Sequence, residues 1–400
     1  CVMFESLQAA PPDAILGLAE TFRNDPNPNR INLTVGVFKD ESGQTPVLAS
    51  VKTAEARLLE TEASKGYLPI DGSADFCRLT RDLYLGADHE IVTSGRIVTA
   101  QCPGGTGALR VAAEFLNRNL PSCSIHVSTP TWPNHPKVFA AAGLQVGQYP
   151  WFDSESHGIN FEALLAGIND IPSGDVICLH ACCHNPTGAD PTAEQWKQIA
   201  DAVYDRGLLP LLDFAYLGFG QSLQADAVAL REFARPGKEL LVASSYSKNF
   251  GLYRERIGAL LVVTDSADTA KTVASQIKST IRTNYSNPPS HGGAIVQTIL
   301  ADPELRSQWE GELAAMRDRI NAMRQLFTEL MSARVPDQDF SFIQKQCGMF
   351  SYSGLTAEQV DTLREQSSIY IVRDGRINVA GITPDNAETL CDAIAALIRT

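Results

Sequence analysis

The chain has 400 residues, 44% of them hydrophobic, with 46 acidic against 33 basic side chains and a net charge of -13. That is enough apolar material for a large core and two domains. The acidity, with no long Lys/Arg run against it, excludes a nucleic-acid partner, and no apolar run approaches the ~20 residues needed to span a membrane.

Nine cysteines make an odd count, Cys182 and Cys183 are adjacent, and there is no C-x-x-C pair. The spacing gives neither a disulfide framework nor a metal motif. With no secretory leader pattern, the reading is reduced thiols in a cytoplasmic protein. Met3 reads as the natural initiator. Residues 3–12 are too short and mixed to form a core of their own and are expected to pack on another surface, such as a partner subunit.

The middle of the chain alternates amphipathic and apolar stretches. A helix is predicted over 105–120, a strand over 124–128, a strand over 175–180, a helix over 191–206, and strands over 208–214, 239–244 and 257–263. Such alternation implies a mostly parallel sheet covered by helices, with chemistry at the carboxyl ends of the strands. Asn185, Asp213 and Lys248 each fall at or just past such an end. A long helix is predicted from 302 to 333, its apolar stripe being Leu305, Trp309, Leu313, Met316, Ile320, Met323 and Leu326. Shorter strands and a last helix over 386–398 suggest a second, α+β domain.

The run Ser244-Ser245-Tyr246-Ser247-Lys248-Asn249-Phe250-Gly251 places one lysine among hydroxyls, just after an apolar strand. Desolvation lowers an ammonium's pKa and frees the amine for Schiff-base chemistry. Ser245, Ser247 and Arg256 offer hydrogen bonds and charge to a phosphate. An aldehyde cofactor carrying a phosphate, pyridoxal phosphate, fits both needs.

Other segments carry complementary chemistry, though each taken singly has a plainer reading. Asp213 ends an apolar strand and suits a pyridinium nitrogen, or else caps a helix. Tyr216 could bond a phenolic oxygen or sit in the core. Asn185, in His184-Asn185-Pro186-Thr187-Gly188, lies in a turn after a strand. Gly105 and Thr106 open a helix, where backbone N–H groups and the helix dipole favour an anion, but the spacing is not that of a P-loop. Trp132 suits stacking on a ring or core packing, and His135 a bond to Asp213 or a surface place. Arg282 and Arg376 read singly as surface charges, yet two guanidinium forks in one site would select a dicarboxylate.

In this order the segments resemble the class I aspartate/aromatic aminotransferases, of pyridoxal-phosphate fold type I. The resemblance runs from Phe4 to Ala395 and includes Gly36-Val37-Phe38-Lys39-Asp40-Glu41 and Tyr285-Ser286-Asn287-Pro288-Pro289. It implies an α/β large domain, with a mostly parallel seven-stranded sheet flanked by helices, over 45–315. It also implies a smaller α+β domain from 12–44 and 316–400, an N-terminal arm over 1–11, and a homodimer with shared active sites.

By the same resemblance, Lys248 is the Schiff-base lysine and proton shuttle. Asp213 partners the pyridinium nitrogen, and Tyr216 and Asn185 the phenolic oxygen. Gly105, Thr106, Ser245, Ser247 and Arg256 form the phosphate cup, and Trp132 stacks on the ring. Tyr67 is lent to the neighbouring subunit's phosphate. Arg376 takes the substrate α-carboxylate, Arg282 reaches across the dimer to the distal carboxylate, and Gly36 belongs to a segment that closes over substrate. The implied reaction is ping-pong transfer of an amino group from L-aspartate to 2-oxoglutarate. A decarboxylase or lyase would share Lys248 and Asp213 without needing both arginines.

Aspartate is expected ahead of aromatic amino acids, because Val37, Lys39, Thr45, Thr106 and Asn287 look like the aspartate-type pocket. Gly66, where an Asn is typical, leaves room, and Phe38 lacks a more usual tyrosine's hydroxyl. Side activity on phenylalanine and tyrosine is therefore expected. The segment Tyr149-Pro150-Trp151-Phe152 resembles aromatic-type members and is expected to lie away from the pocket.

Overall fold

The computed structural model describes residues 4–9 and 16–399. Met3, both ends of the expected arm (1–3 and 10–11) and the expected start of the small domain at 12 lie outside the described residues. Seven strands form the main sheet: β1 (Ile97–Cys102), β2 (Ser124–Thr129), β3 (Gln145–Pro150), β4 (Val176–His180), β5 (Leu209–Phe214), β6 (Leu240–Ser245) and β7 (Gly258–Val263). Their spatial order is β1-β7-β6-β5-β4-β2-β3. All pairs are parallel except those of β7, which runs antiparallel to β1 and β6.

The central strands are continuous apolar runs because both faces of the sheet are covered. Along β6, Leu240 and Val242 point into one hydrophobic cluster and Leu241 and Ala243 into another. Ile177 and Leu179 of β4 alternate with Val176 and Cys178 in the same way. The edge strand β3 was not legible in the sequence. Half of its residues face solvent, and Gln145, Gly147 and Gln148 break any alternation. Helices fill the crossovers. That at Ala193–Asp205 starts with a reciprocal cap, in which Thr192 Oγ1 accepts the Gln195 N–H and Gln195 Oε1 accepts the Thr192 N–H.

The two ends of the chain meet. Ile31–Asn32 pairs parallel with Ile369–Tyr370, and Phe350–Tyr352 pairs antiparallel with Arg376–Asn378. Helix α1 (Pro303–Arg334) packs against α2 (Pro384–Ile398). The stripe on α1 is buried from Leu305 through Met323, while Leu326 is half-buried and Phe327 and Met331 continue the inner face. Arg324 is buried on that stripe as well, which the apolar pattern did not announce. No helix among the described residues is long and apolar enough to cross a membrane.

Candidate active site

Strand register gathers polar groups at one edge of the sheet. His180 is the Cα partner of Asp213, and Asp213 of Ala243, so the carboxyl ends of β4, β5 and β6 deliver His180, Asp213 and Ser245 side by side. A cavity of about 270 Å3 opens there. Of the residues singled out in the sequence, it is lined by Gly36, Gly105, Thr106, Trp132, Asn185, Asp213, Tyr216, Ser245, Ser247, Lys248 and Arg256.

One wall suits an anion. The helix Gly104–Asn119 points its N-terminus at the cavity, with Gly105 and Thr106 in its first turn. Gly104 has φ +78, and a Cβ there would lie 2.5 Å from Arg256 Nη2, so only glycine lets that guanidinium reach the helix end. Arg256 itself holds φ 51, a conformation costly for a non-glycine residue. Its Nη1 donates to Ser247 Oγ at 3.3 Å and to the Tyr253 carbonyl at 3.0 Å. Two hydroxyls, helix N–H groups and one fixed cation line a cup that could hold a phosphate.

Across the cavity, Lys248 lies three residues past the end of β6. Its Nζ sits 5.0 Å from the centre of the Tyr216 ring. Burial pushes its pKa down to about 8; Asp213 opposes this and Arg256 adds to it. The loop is held from behind. Trp309 Nε1 donates to the Asn249 carbonyl at 2.8 Å, and its ring stacks on Phe250 at 4.2 Å.

Asp213 is enclosed. Burial alone would raise its pKa, but the hydrogen bond from His135 and the positive charge of Lys248 carry it below the usual carboxylate range. A connected network follows: Asp213 Oδ2 to His135 Nε2 at 2.8 Å, His135 Nδ1 to Thr131 Oγ1 at 2.8 Å, and Thr131 Oγ1 to His180 Nε2 at 2.9 Å. A carboxylate can only accept, so Nε2 of His135 is assigned the proton. In the neutral ring Nδ1 then accepts from Thr131, whose oxygen accepts from His180. Burial keeps the His180 pKa well below its ordinary value, in keeping with a neutral ring.

The turn carrying Asn185 is fixed by similar means. Ser128 donates to the Pro130 carbonyl at 2.8 Å, so its oxygen accepts from His184 Nε2 at 3.0 Å, and Thr187 donates to His184 Nδ1 at 2.8 Å. Trp151 stacks on His184 at 4.6 Å. As expected, Tyr149 through Phe152 are not among the residues lining the cavity.

Arg376 is buried behind this turn, with Nη1 3.2 Å from Asn185 Oδ1 and Nη2 2.6 Å from the Thr34 carbonyl. Its guanidinium lies 4.2 Å from the Phe350 ring centre, and its Nε has no hydrogen-bond partner among the described residues. Asn378, two residues on, donates to the Val35 and Val37 carbonyls and so holds the segment bearing Gly36.

Tyr67 and Arg282 are not brought to this cavity. They line a separate surface hollow of about 800 Å3 with Gly66 and Asn287, and Tyr67 is 95% exposed. Conversely, sequence reasoning missed Tyr253, His180, Leu109 and Ala215, which line the cavity. Tyr253 accepts the Phe38 N–H on its hydroxyl at 2.9 Å, linking the Arg256 loop to the segment after Gly36. Its only sequence signal is its place between Lys248 and Arg256. His180 was visible in principle as a lone polar residue ending an apolar strand.

A phosphate cup, a lysine with a depressed pKa and an ionised carboxylate surround one cavity, and the residues fit pyridoxal phosphate. Comparisons with known proteins agree. Residues 28–394 match the family model described as aminotransferase class I and II. The chain is 55% identical to an aspartate aminotransferase of Salmonella typhi over 99% of its own length and 100% of that protein's. It is 54% identical, with the same coverage, to an aspartate aminotransferase of Escherichia coli (strain K12). A crystal structure of an aromatic-amino-acid aminotransferase from Burkholderia pseudomallei, covalently bound to pyridoxal phosphate, superposes with a TM-score of 0.97. That protein is 49% identical, and the match covers 99% of this chain and 100% of the other.

Proposed function

The chain belongs to the class I and II aminotransferases, and on that premise we propose that it moves the amino group of L-aspartate to 2-oxoglutarate, giving oxaloacetate and L-glutamate in two half-reactions. The observation that carries this reading is the single cavity shared by Lys248, Asp213 and the Arg256 cup, with Asn185 on its wall bonded to Arg376.

Pyridoxal phosphate, when bound, supplies an aldehyde that condenses with amines and a pyridinium ring that takes up electrons released at the substrate Cα. Gly105, Thr106, Ser245, Ser247 and Arg256 would hold its phosphate, Trp132 would stack on the ring, and Tyr216 and Asn185 would meet its phenolic oxygen. Asp213, kept ionised by His135, would hold a proton on the ring nitrogen. Lys248 Nζ, an amine whose pKa is about 8, takes the proton from the substrate Cα and gives it up again on the way to the 2-oxo acid. Arg376 offers a planar fork for the substrate α-carboxylate. Its burial makes an anion on that fork strongly favoured, because among the described residues no carboxylate hydrogen-bonds to the guanidinium.

The rest of the site is read as coming from a second copy of the chain. Tyr67 is exposed, and Arg282 lies with it in an open hollow, so neither has a task within one subunit. In a two-fold dimer, Tyr67 would reach the neighbour's phosphate and Arg282 the distal carboxylate of the neighbour's substrate. The exposed Phe4 and Leu7 support an arm lying on that partner. The pairing of 31–32 with 369–370 supports a small domain drawn from 12–44 and 316–400, set on a large domain over 45–315. Free thiols at all eight described cysteines fit a cytoplasmic setting.

A second reading, an aromatic-amino-acid aminotransferase, is favoured by one observation. A Cβ added at Gly66 would meet only Ser64, so the hollow beside Arg282 has room for a ring. Comparing kcat/KM for L-aspartate and L-phenylalanine decides between them. A lower value for aspartate rejects the first reading.

A further inference from the structure

Behind the turn that carries Asn185, outside the proposed cavity, lie three side chains with no part in the reaction. Cys183 follows β4 with φ 53, Asp190 ends the same loop, and Cys347 precedes the strand Phe350–Tyr352. The two sulfurs and a carboxylate oxygen lie within 4.8 Å of one another. We propose that Cys183 Sγ, Cys347 Sγ and Asp190 Oδ2 form a binding site for a thiophilic divalent cation such as Zn2+ or Cd2+.

The geometry is close to what such an ion needs. Cys347 Sγ donates to Asp190 Oδ2 at 3.1 Å. A tetrahedral zinc, with bonds of about 2.3 Å to sulfur and about 2.0 Å to a carboxylate, holds those two atoms roughly 3.5 Å apart. Replacing the thiol proton by the cation therefore asks for a shift of a few tenths of an ångström. Asp190 is already oriented, since it accepts the Cys183 N–H on Oδ2 at 2.5 Å and the His184 N–H on Oδ1 at 2.9 Å. Gly348 permits the approach of the two thiols: its φ is +79, and a Cβ there would lie 2.4 Å from Cys183 Cβ.

Charge and access also fit. Two thiolates and a carboxylate carry three negative charges against the ion's two positive ones. The remaining charge is met by Arg324, which is buried beside the cluster and, among the described residues, hydrogen-bonds to the carbonyls of Ile343, Gly348 and Phe350 and to the Ser351 hydroxyl. A hollow of about 720 Å3 lined by Arg324, Gln346 and Cys347 gives a way in. The neighbouring set Cys182, Cys183 and Asp226 is the weaker choice. Asp226 already accepts the N–H groups of Gly218, Gly220 and Gln221.

On binding, two S–H bonds break, two metal–sulfur bonds form, two protons leave to solvent, and nothing is oxidised. The ion would tie together two segments whose side chains meet in the site. Cys183 lies two residues before Asn185, and the strand after Cys347 pairs with the one bearing Arg376.

The test is a titration of the reduced, cofactor-loaded protein with Cd2+ alone, reading ultraviolet thiolate-to-cadmium absorbance and protons released in weak buffer. One equivalent per chain, two protons per ion and at least a tenfold loss of affinity in Cys347→Ser are expected. Cys391→Ser and Cys182→Ser should bind as the unaltered protein does. Absence of the absorbance, unchanged binding in Cys347→Ser, or loss in Cys182→Ser overturns the proposal. If Cys347→Ser fails to fold, Cys347→Ala and the stoichiometry of the unaltered protein still decide it.

Discussion

His135 Nε2 lies 2.8 Å from Asp213 Oδ2, and both side chains are almost wholly enclosed. The pair sets the charge of Asp213, because burial pushes that carboxyl up and the hydrogen bond brings it down. A carboxyl whose folded pKa is depressed adds stability above its unfolded pKa and loses it as pH falls through the folded value. His135→Ala leaves the burial and removes the bond, so the Asp213 pKa should rise. The acidic limb of the pH–rate profile should then move to higher pH, which a kcat/KM profile of the variant will show.

Asp213→Ala should lower kcat by about two to four orders of magnitude, the range for losing one well-placed acid–base or electrostatic group. KM for aspartate should change far less, because Arg376 is untouched. Steady-state kinetics with excess pyridoxal phosphate separate this from simple loss of cofactor.

In protein freed of cofactor, the pKa of Lys248 at about 8 implies an amine that reacts well below the range of an ordinary lysine. Acetylation followed by mass spectrometry should give a midpoint near 8 for Lys248. The sign for stability follows from proton binding. Between pH 8 and about 10.4 the unfolded state holds more protons at this site, so its contribution to stability rises with pH there. Lys248→Met should abolish that rise and leave transamination roughly two to four orders of magnitude slower.

Arg282→Ala should cost roughly 10- to 100-fold in kcat/KM for aspartate, as expected for one charge-assisted contact, and little for phenylalanine. Mixing it with Lys248→Ala after joint unfolding and refolding should restore about a quarter of full activity. Half of the dimers would then carry one intact site of two. No recovery would contradict the shared site.

Trp309→Ala should destabilise the protein by about 3–5 kcal/mol, since it removes a fully buried ring stacked on Phe250 and a bond to the carbonyl next to Lys248. Denaturant unfolding of the variant measures this directly.

The central strands were legible because β4, β5 and β6 are unbroken apolar runs, and a polar residue at such an end stands out. Asp213 and Lys248 were singled out in this way, and both line the cavity. His180 was passed over, although it ends β4 with the same signal and faces Asp213 in the register. Tyr253 bonds Phe38 from 215 residues away, a contact that no local pattern encodes. Tyr67 and Arg282 could be named from family resemblance alone. In a single chain they line a separate hollow, and their proposed work needs a second copy. The edge strand Gln145–Pro150 escaped notice because pairing on one side leaves its composition half polar.

The most direct test of the whole account is a spectral titration of the cofactor-loaded protein with L-aspartate, then L-phenylalanine, with no 2-oxo acid present. The account expects the absorbance of the lysine-bound cofactor to give way to that of pyridoxamine phosphate, with aspartate acting at the lower concentration. A tighter response to phenylalanine would contradict the aspartate assignment, and no spectral change with either amino acid would contradict transamination itself.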